Sequence, residues 1–225
     1  MNRVPLNERE LPYYTKGEEI FNMVSHIVGG ALAVAELVLC VIFSVIYRDA
    51  WYVVASAVYG ASMVILFVMS SIYHGLRAQT AKKVFQILDH CTIYFMIAGT
   101  YTPIALGGLR EINPVIGFVV FGVVWAACAA GTVFTAIDLE STKKFSMICY
   151  LAMGWCIVIF LVPTYHVLEM GGMIFLILGG LAHTMGAFLY HKGKTVKYMH
   201  SIFHLFVILG SLLHFFMILF YVIIR

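Results

Sequence analysis

His200 and His204 lie four residues apart in an apolar stretch. At that spacing two side chains stand above one another on one helical face, with Cβ atoms about 5–6 Å apart. Two imidazoles so placed can grip one metal ion. A third ligand is His74, at the end of another apolar stretch. Three protein ligands with a fourth position left for solvent is the pattern of catalytic rather than structural zinc. The H-S-I-F-H run has no Glu after its first His, so it is not an H-E-x-x-H protease helix, and the base must come from elsewhere. Asp89 is the nearby carboxylate. Zinc would bring the pKa of its water close to 7, and Asp89 would orient that water and take its proton. Ser70, i, i+4 to His74, would bond the site or a polar head group; alternatively its hydroxyl bonds back to its own helix.

Other histidines and acids are weighed against plainer roles. His90 points about 100° around the helix from Asp89 and reads as an interface residue. His26 shares the depth of the site and would line it or donate to Asp89. Glu18 and Glu19 read as first-turn acids that suit a helix dipole. Asp89 would otherwise pair with Lys82 or Lys83. Glu36 and His214 lie at comparable depth, so an opposed pair on a proton path is one reading. His183 reads as an interhelix hydrogen-bonder, and His166 and His191 as solvated. Tyr13, Tyr14, Trp51 and Tyr52 fit interfacial belts.

The elements that must position these groups are apolar helices. The chain of 225 residues is 62% hydrophobic and 11% charged, with mean hydropathy +0.96. A soluble fold of this size cannot hide so much apolar surface. Lipid can solvate it, at about 20 apolar residues per crossing. A polar tail over residues 1–19 has no apolar core of a signal peptide. Residues 20–225 then divide into seven predicted transmembrane helices, at about 20–46, 51–74, 84–106, 114–137, 145–162, 171–190 and 200–224. Eleven Lys and Arg fall in the tail and in the loops after the second, fourth and sixth helices, Arg3 and Lys194 among them; only Arg48, Arg110 and Arg225 fall on the other side. The bias puts the N-terminus in the cytoplasm and the C-terminus outside. The expected fold is thus an all-α seven-helix bundle in the cell membrane. On this topology His74, Asp89, His200 and His204, from three helices, share one depth near the cytoplasmic leaflet. The five cysteines form no C-x-x-C pair and read as buried fillers. The basic loops suit anionic lipids, not nucleic acid. The last helix lacks a lysine for retinal, which excludes a light-driven pump.

The motifs resemble those of a known family. The S-x-x-x-H of Ser70–His74, the L-D-H of Leu88–His90 followed by I-A-G-T-Y-T-P at Ile97–Pro103, and the H-x-x-x-H of His200–His204 are similar to the three signatures of the hemolysin III family. That family is the bacterial branch of the progestin and adipoQ receptor (PAQR) superfamily. Ser25–His26 after Glu19 and the G-S-x-x-H of Gly210–His214 also resemble it. The resemblance implies a zinc ion near the cytoplasmic side, held by His74, His200 and His204, with Asp89 and Ser70 beside it. It further implies a link to hydrolysis of ceramide-type lipid amides, known in the receptor branch, or to membrane-lipid homeostasis. Three functions follow as expectations: a zinc-dependent hydrolase of a lipid-like substrate; a non-enzymatic receptor or regulator with structural zinc; and a cytolysin. The absence of a signal peptide and of a soluble form argues against the last. Oligomeric state is left open by the sequence.

Overall fold

The structure is a computed structural model of the 225-residue chain that describes residues 4–193 and 195–225. Arg3 and Lys194 from the charge count lie outside the described residues. Every regular element among the described residues is helical. Among the described residues six helical runs are long and apolar enough to cross a bilayer.

Helix α1 (Lys16–Tyr47) starts at a capping box. The Thr15 hydroxyl accepts from the Glu18 amide at 3.3 Å, and the Glu18 carboxylate accepts from the Thr15 amide at 2.9 Å. Two orphan amides are thereby satisfied, so the helix begins four residues before its apolar run. Asp49 caps helix α2 (Ala50–Gly75), accepting from the Trp51 amide at 3.0 Å. Helix α3 (Gln79–Thr102) meets Pro103, which has no amide to donate. The chain passes this point by widening into a π-helical stretch, Pro103–Leu109, and ends at Ile112. Helix α4 spans Pro114–Ile137, with Asn113 as its cap and Pro at its first position.

The largest departure from the sequence reading follows α4. Helix α5 (Leu139–Trp155) was predicted to end near Val162 in an outer loop. Instead it passes through a 3-10 stretch, Cys156–Phe160, into α6 (Leu161–Lys192). The run of 54 residues would measure about 80 Å if straight, against about 30 Å of bilayer core. It is broken at one residue, Glu169, with φ 50 and ψ −173. That conformation is nearly confined to glycine, and the Arg225 guanidinium pairs with the Glu169 carboxylate there.

Helix α7 (Met199–Met217) completes the bundle and runs on as a π-helical turn, Ile218–Ile223. Its buried stripe is His200, Ser201, His204, Val207, Gly210, Ser211 and His214. At its far end, about 35 Å from His200 along the axis, Arg48 donates to the Ile223 carbonyl at 2.7 Å and Arg225 pairs with Glu169. Close approach of α6 and α7 depends on two glycines. A Cβ on Gly210 would stand 2.6 Å from His183 Nε2, and one on Gly179 would stand 2.3 Å from the His214 ring. Large apolar side chains such as Val34, Val119, Val162 and Phe220 point outward, as lipid demands and water would penalise.

Candidate metal centre

Two helix ends place the predicted ligands together. His74 sits at the last turn of α2, and His200 and His204 on the first two turns of α7. All three are buried, and one ring nitrogen from each lies within 4.8 Å of the others. His200 Nε2 is 3.4 Å from His74 Nε2 and 3.1 Å from His204 Nε2. A tetrahedral zinc with nitrogen ligands at 2.0–2.1 Å would space them about 3.3 Å apart. Two of the three edges match that spacing, and the three nitrogens together could hold a metal ion.

The other ring nitrogens are arranged to leave Nε2 free. His74 Nδ1 is 2.7 Å from Glu19 Oε2, so the carboxylate accepts a hydrogen bond from Nδ1–H and the Nε2 lone pair points inward. Glu19 Oε1 in turn pairs with Lys82 Nζ at 2.7 Å. His204 Nδ1 is 3.5 Å from Ser25 Oγ, which itself donates to the Asn22 carbonyl at 3.0 Å. Ser201 donates to Asn22 Oδ1 at 2.6 Å and ties α7 to α1. The His26 ring stacks on His204 with centroids 3.7 Å apart; both its nitrogens are buried without a partner among the described residues.

Tyr14 closes the centre from the side of the N-terminal strap, residues 4–15. Its ring stacks on His200 at 4.8 Å and meets His74 edge-on at 5.7 Å. Burial raises the Tyr14 phenol above its ordinary range and keeps it protonated. The strap is held by Arg9, which donates to the Gln86 side-chain oxygen at 2.9 Å, and by Lys83, which donates to the Asn7 carbonyl at 3.0 Å.

Asp89 and Ser70 do not belong to the imidazole cluster. They line an apolar cavity together with His26, His200 and His204. The cavity extends between α3, α5, α6 and α7 past Ile97, Met173 and Val207 to Val158, Leu161 and Ile177, which are about half exposed on the lipid-facing side. Asp89 makes no ion pair with Lys82 or Lys83: the first belongs to Glu19 and the second to Asn7. Ser71, not Ser70, bonds back to its own helix, at 2.7 Å from the Phe67 carbonyl.

His90 is an interface residue, donating to the Gln86 carbonyl at 2.8 Å and accepting from the Tyr190 hydroxyl at 3.1 Å. Glu36 accepts from the Tyr59 hydroxyl at 3.2 Å, and His214 lies 3.3 Å from the Leu176 carbonyl, so the two do not pair. His183 packs against His214, with rings 5.4 Å apart. His166 and His191 are exposed.

Sequence reading missed Tyr14, Asn22 and the orienting role of Glu19. One signal was available. Glu19, Asn22 and His26 recur at i, i+3 and i+7, a polar stripe on an otherwise apolar helix, and such a stripe faces the bundle interior.

Comparison with known proteins agrees with the motifs. The family model described as "Haemolysin-III related" matches residues 14–215. The "Hemolysin-3 homolog" of Bacillus subtilis (strain 168) is 36% identical over 208 residues, covering 92% of this chain and 96% of that protein. "Hemolysin-3" of Bacillus cereus is 38% identical over 207 residues, covering 91% and 92%. The human "Monocyte to macrophage differentiation factor" is 27% identical over 225 residues, covering 96% and 89%. No solved structure matches the chain significantly. With three imidazoles that can hold a metal ion at one end of a bundle of apolar helices, and a family match that spans nearly all of it, the chain is a multi-pass cell-membrane protein of the haemolysin-III related family.

Proposed function

We propose that this protein is a zinc-dependent hydrolase acting on an amide or ester bond of a membrane lipid, with seven membrane crossings and its metal centre on the cytoplasmic side. The observation that carries the reading is the convergence of three Nε2 atoms, 3.1 and 3.4 Å apart along two edges, at the end of a cavity lined by apolar side chains and one carboxylate. Counting the run Leu139–Lys192 as two crossings, divided at Glu169, makes seven. The orientation rests on the excess of Lys and Arg at the His200 end and on the gathering of Arg48, Arg110 and Arg225 at the other.

Zinc, when bound, polarises a carbonyl and lowers the pKa of a water molecule. The chain's own residues do the rest. His74, His200 and His204 hold the ion, and Glu19 keeps His74 in the binding tautomer. Asp89, at the wall of the cavity beside His200 and His204, accepts the proton of the attacking water and returns it to the leaving group. Ser70 hydrogen-bonds the polar head. Ile97, Met173 and Val207 line the path of the acyl chain, which enters from lipid past Val158 and Ile177. The test is metal analysis and fatty-acid release by purified protein, wild type against His200→Ala. Zinc with no release from ceramide or any related lipid would sink the hydrolase.

A second reading, a non-enzymatic receptor or regulator with structural zinc, is favoured by Tyr14, whose ring covers the imidazoles from the strap side. In that case Asp89→Asn retains zinc and leaves membrane-lipid composition unchanged.

A further inference from the structure

The imidazole cluster is a partition between two cavities. His200 and His204 face the apolar one, and His74 faces the other, which lies beneath the N-terminal strap. This second cavity, of about 710 Å³, is lined by five cations: Arg9, Lys16, Arg77, Lys82 and Lys83. Two carboxylates share it, Glu10 and Glu19. Glu19 is already engaged by His74 and Lys82.

The remaining cations are short of anions. Among the described residues Lys83 reaches only the Asn7 carbonyl, at 3.0 Å. Lys16 and Arg77 make no ion pair among the described residues. Arg9 is 6% exposed, yet its one side-chain partner among the described residues is the Gln86 amide oxygen at 2.9 Å, and its Nε is buried with none. Asp138 and Glu140 favour the Arg9 charge from beyond ion-pair distance. A cytoplasmic surface collects Lys and Arg on its loops, but that rule does not line a concave wall with them or bury a guanidinium. Burial of an unpaired charge is costly, and a bound anion would remove the cost.

We propose that this cavity binds a phosphate group, either the head of a phosphorylated lipid or free phosphate. Guanidinium forks suit such an oxyanion, and ammonium groups add point charges. The proposal rests on the hydrolase reading only where it names the head group. Binding is measured without turnover, so each can fail alone.

The test uses the full chain, stripped of metal by a chelator, in an uncharged detergent. Three probes are titrated: dihexanoyl phosphatidic acid, dihexanoylglycerol and inorganic phosphate, with ³¹P line width and tyrosine fluorescence as readouts. The phosphatidic acid is expected to bind at least about tenfold more tightly than the neutral glyceride, and more weakly as salt rises. The double variant Lys16→Gln, Arg77→Gln, at two exposed positions, is expected to lose about tenfold in that affinity while keeping the wild-type unfolding temperature. Displacement of the lipid by millimolar inorganic phosphate identifies a free-phosphate site. Lipid binding that phosphate does not displace identifies a head-group site. Equal affinity for the two lipids, or a double variant that binds like wild type, overturns the proposal.

Discussion

Replacing Glu19 by Gln isolates how the protein prepares His74 for a metal. The carboxylate oxygen lies 2.7 Å from Nδ1, a contact that orients the ring and turns Nε2 toward the other two imidazoles. Gln is nearly isosteric and can still accept that proton, but it carries no charge. Loss of a carboxylate behind a metal-bound imidazole lowers metal affinity about 10–100-fold, which is about 1.4–2.7 kcal/mol. The same substitution strips Lys82 of its 2.7 Å partner and leaves it the Leu76 carbonyl at 3.2 Å. Some loss of fold stability is therefore expected in Glu19→Gln for a separate reason. Lys82→Met is the control: it removes that ion pair while leaving the Glu19–His74 contact. Zinc affinity is measured by competition with a chelator, and site geometry by the visible spectrum of the cobalt-substituted protein. The expected result is a weaker metal with an altered cobalt spectrum in Glu19→Gln and near-wild-type values in Lys82→Met. If Glu19→Gln binds zinc as wild type does, or if both variants weaken it equally, the carboxylate is not orienting His74 and the argument is wrong.

Other perturbations test the remaining parts. His74→Ala and His204→Ala each remove one of three ligands and are expected to purify without stoichiometric metal; full zinc by elemental analysis in either would show that the cluster is not the site. Asp89→Asn is expected to keep zinc while turnover falls by about 10²-fold or more, the scale of general-base loss, as read from fatty-acid release. Tyr14→Ala uncovers the rings it now stacks on, so chelators should strip the metal faster than from wild type; an unchanged rate would mean that the strap is no cover. Glu169→Gly relieves a backbone conformation that costs about 1–3 kcal/mol and loses an exposed ion pair worth about 0–1 kcal/mol. Thermal unfolding in detergent should therefore rise, and a lower midpoint would show that the Arg225 contact matters more than the strain.

Much of the fold was legible because hydropathy and charge bias act locally along the chain. Apolar runs long enough for a bilayer mark helices whatever packs against them, and six such runs are present among the described residues. The errors fell where the signal was weak. The gap read as a loop near Pro163–Met170 is mostly helix, since apolar residues such as Val167 and Leu168 continue inward-facing through it. The turn is confined to Glu169, whose departure from helical geometry coincides with a cation supplied by the far end of the chain. The start of α1 was misjudged by four residues because hydropathy outweighed the T-x-x-E cap that the sequence displays.

The sequence by itself determined the membrane environment, the family and the three histidines that converge. Two of the three ligands share one helix face by the geometry of 3.6 residues per turn, and the third lies at a helix end on the same side of the membrane. Only the tertiary structure decided what surrounds them. Glu19 reaches His74 across 55 positions, the Tyr198 amide finds Glu18 across 180, and Tyr14 covers His200 from a tail that read as an interfacial belt. Each of these is a meeting between helices or between a tail and a helix. Spacing along one helix constrains only neighbours on that helix, whereas contacts between segments are selected by how the apolar faces of the whole bundle pack.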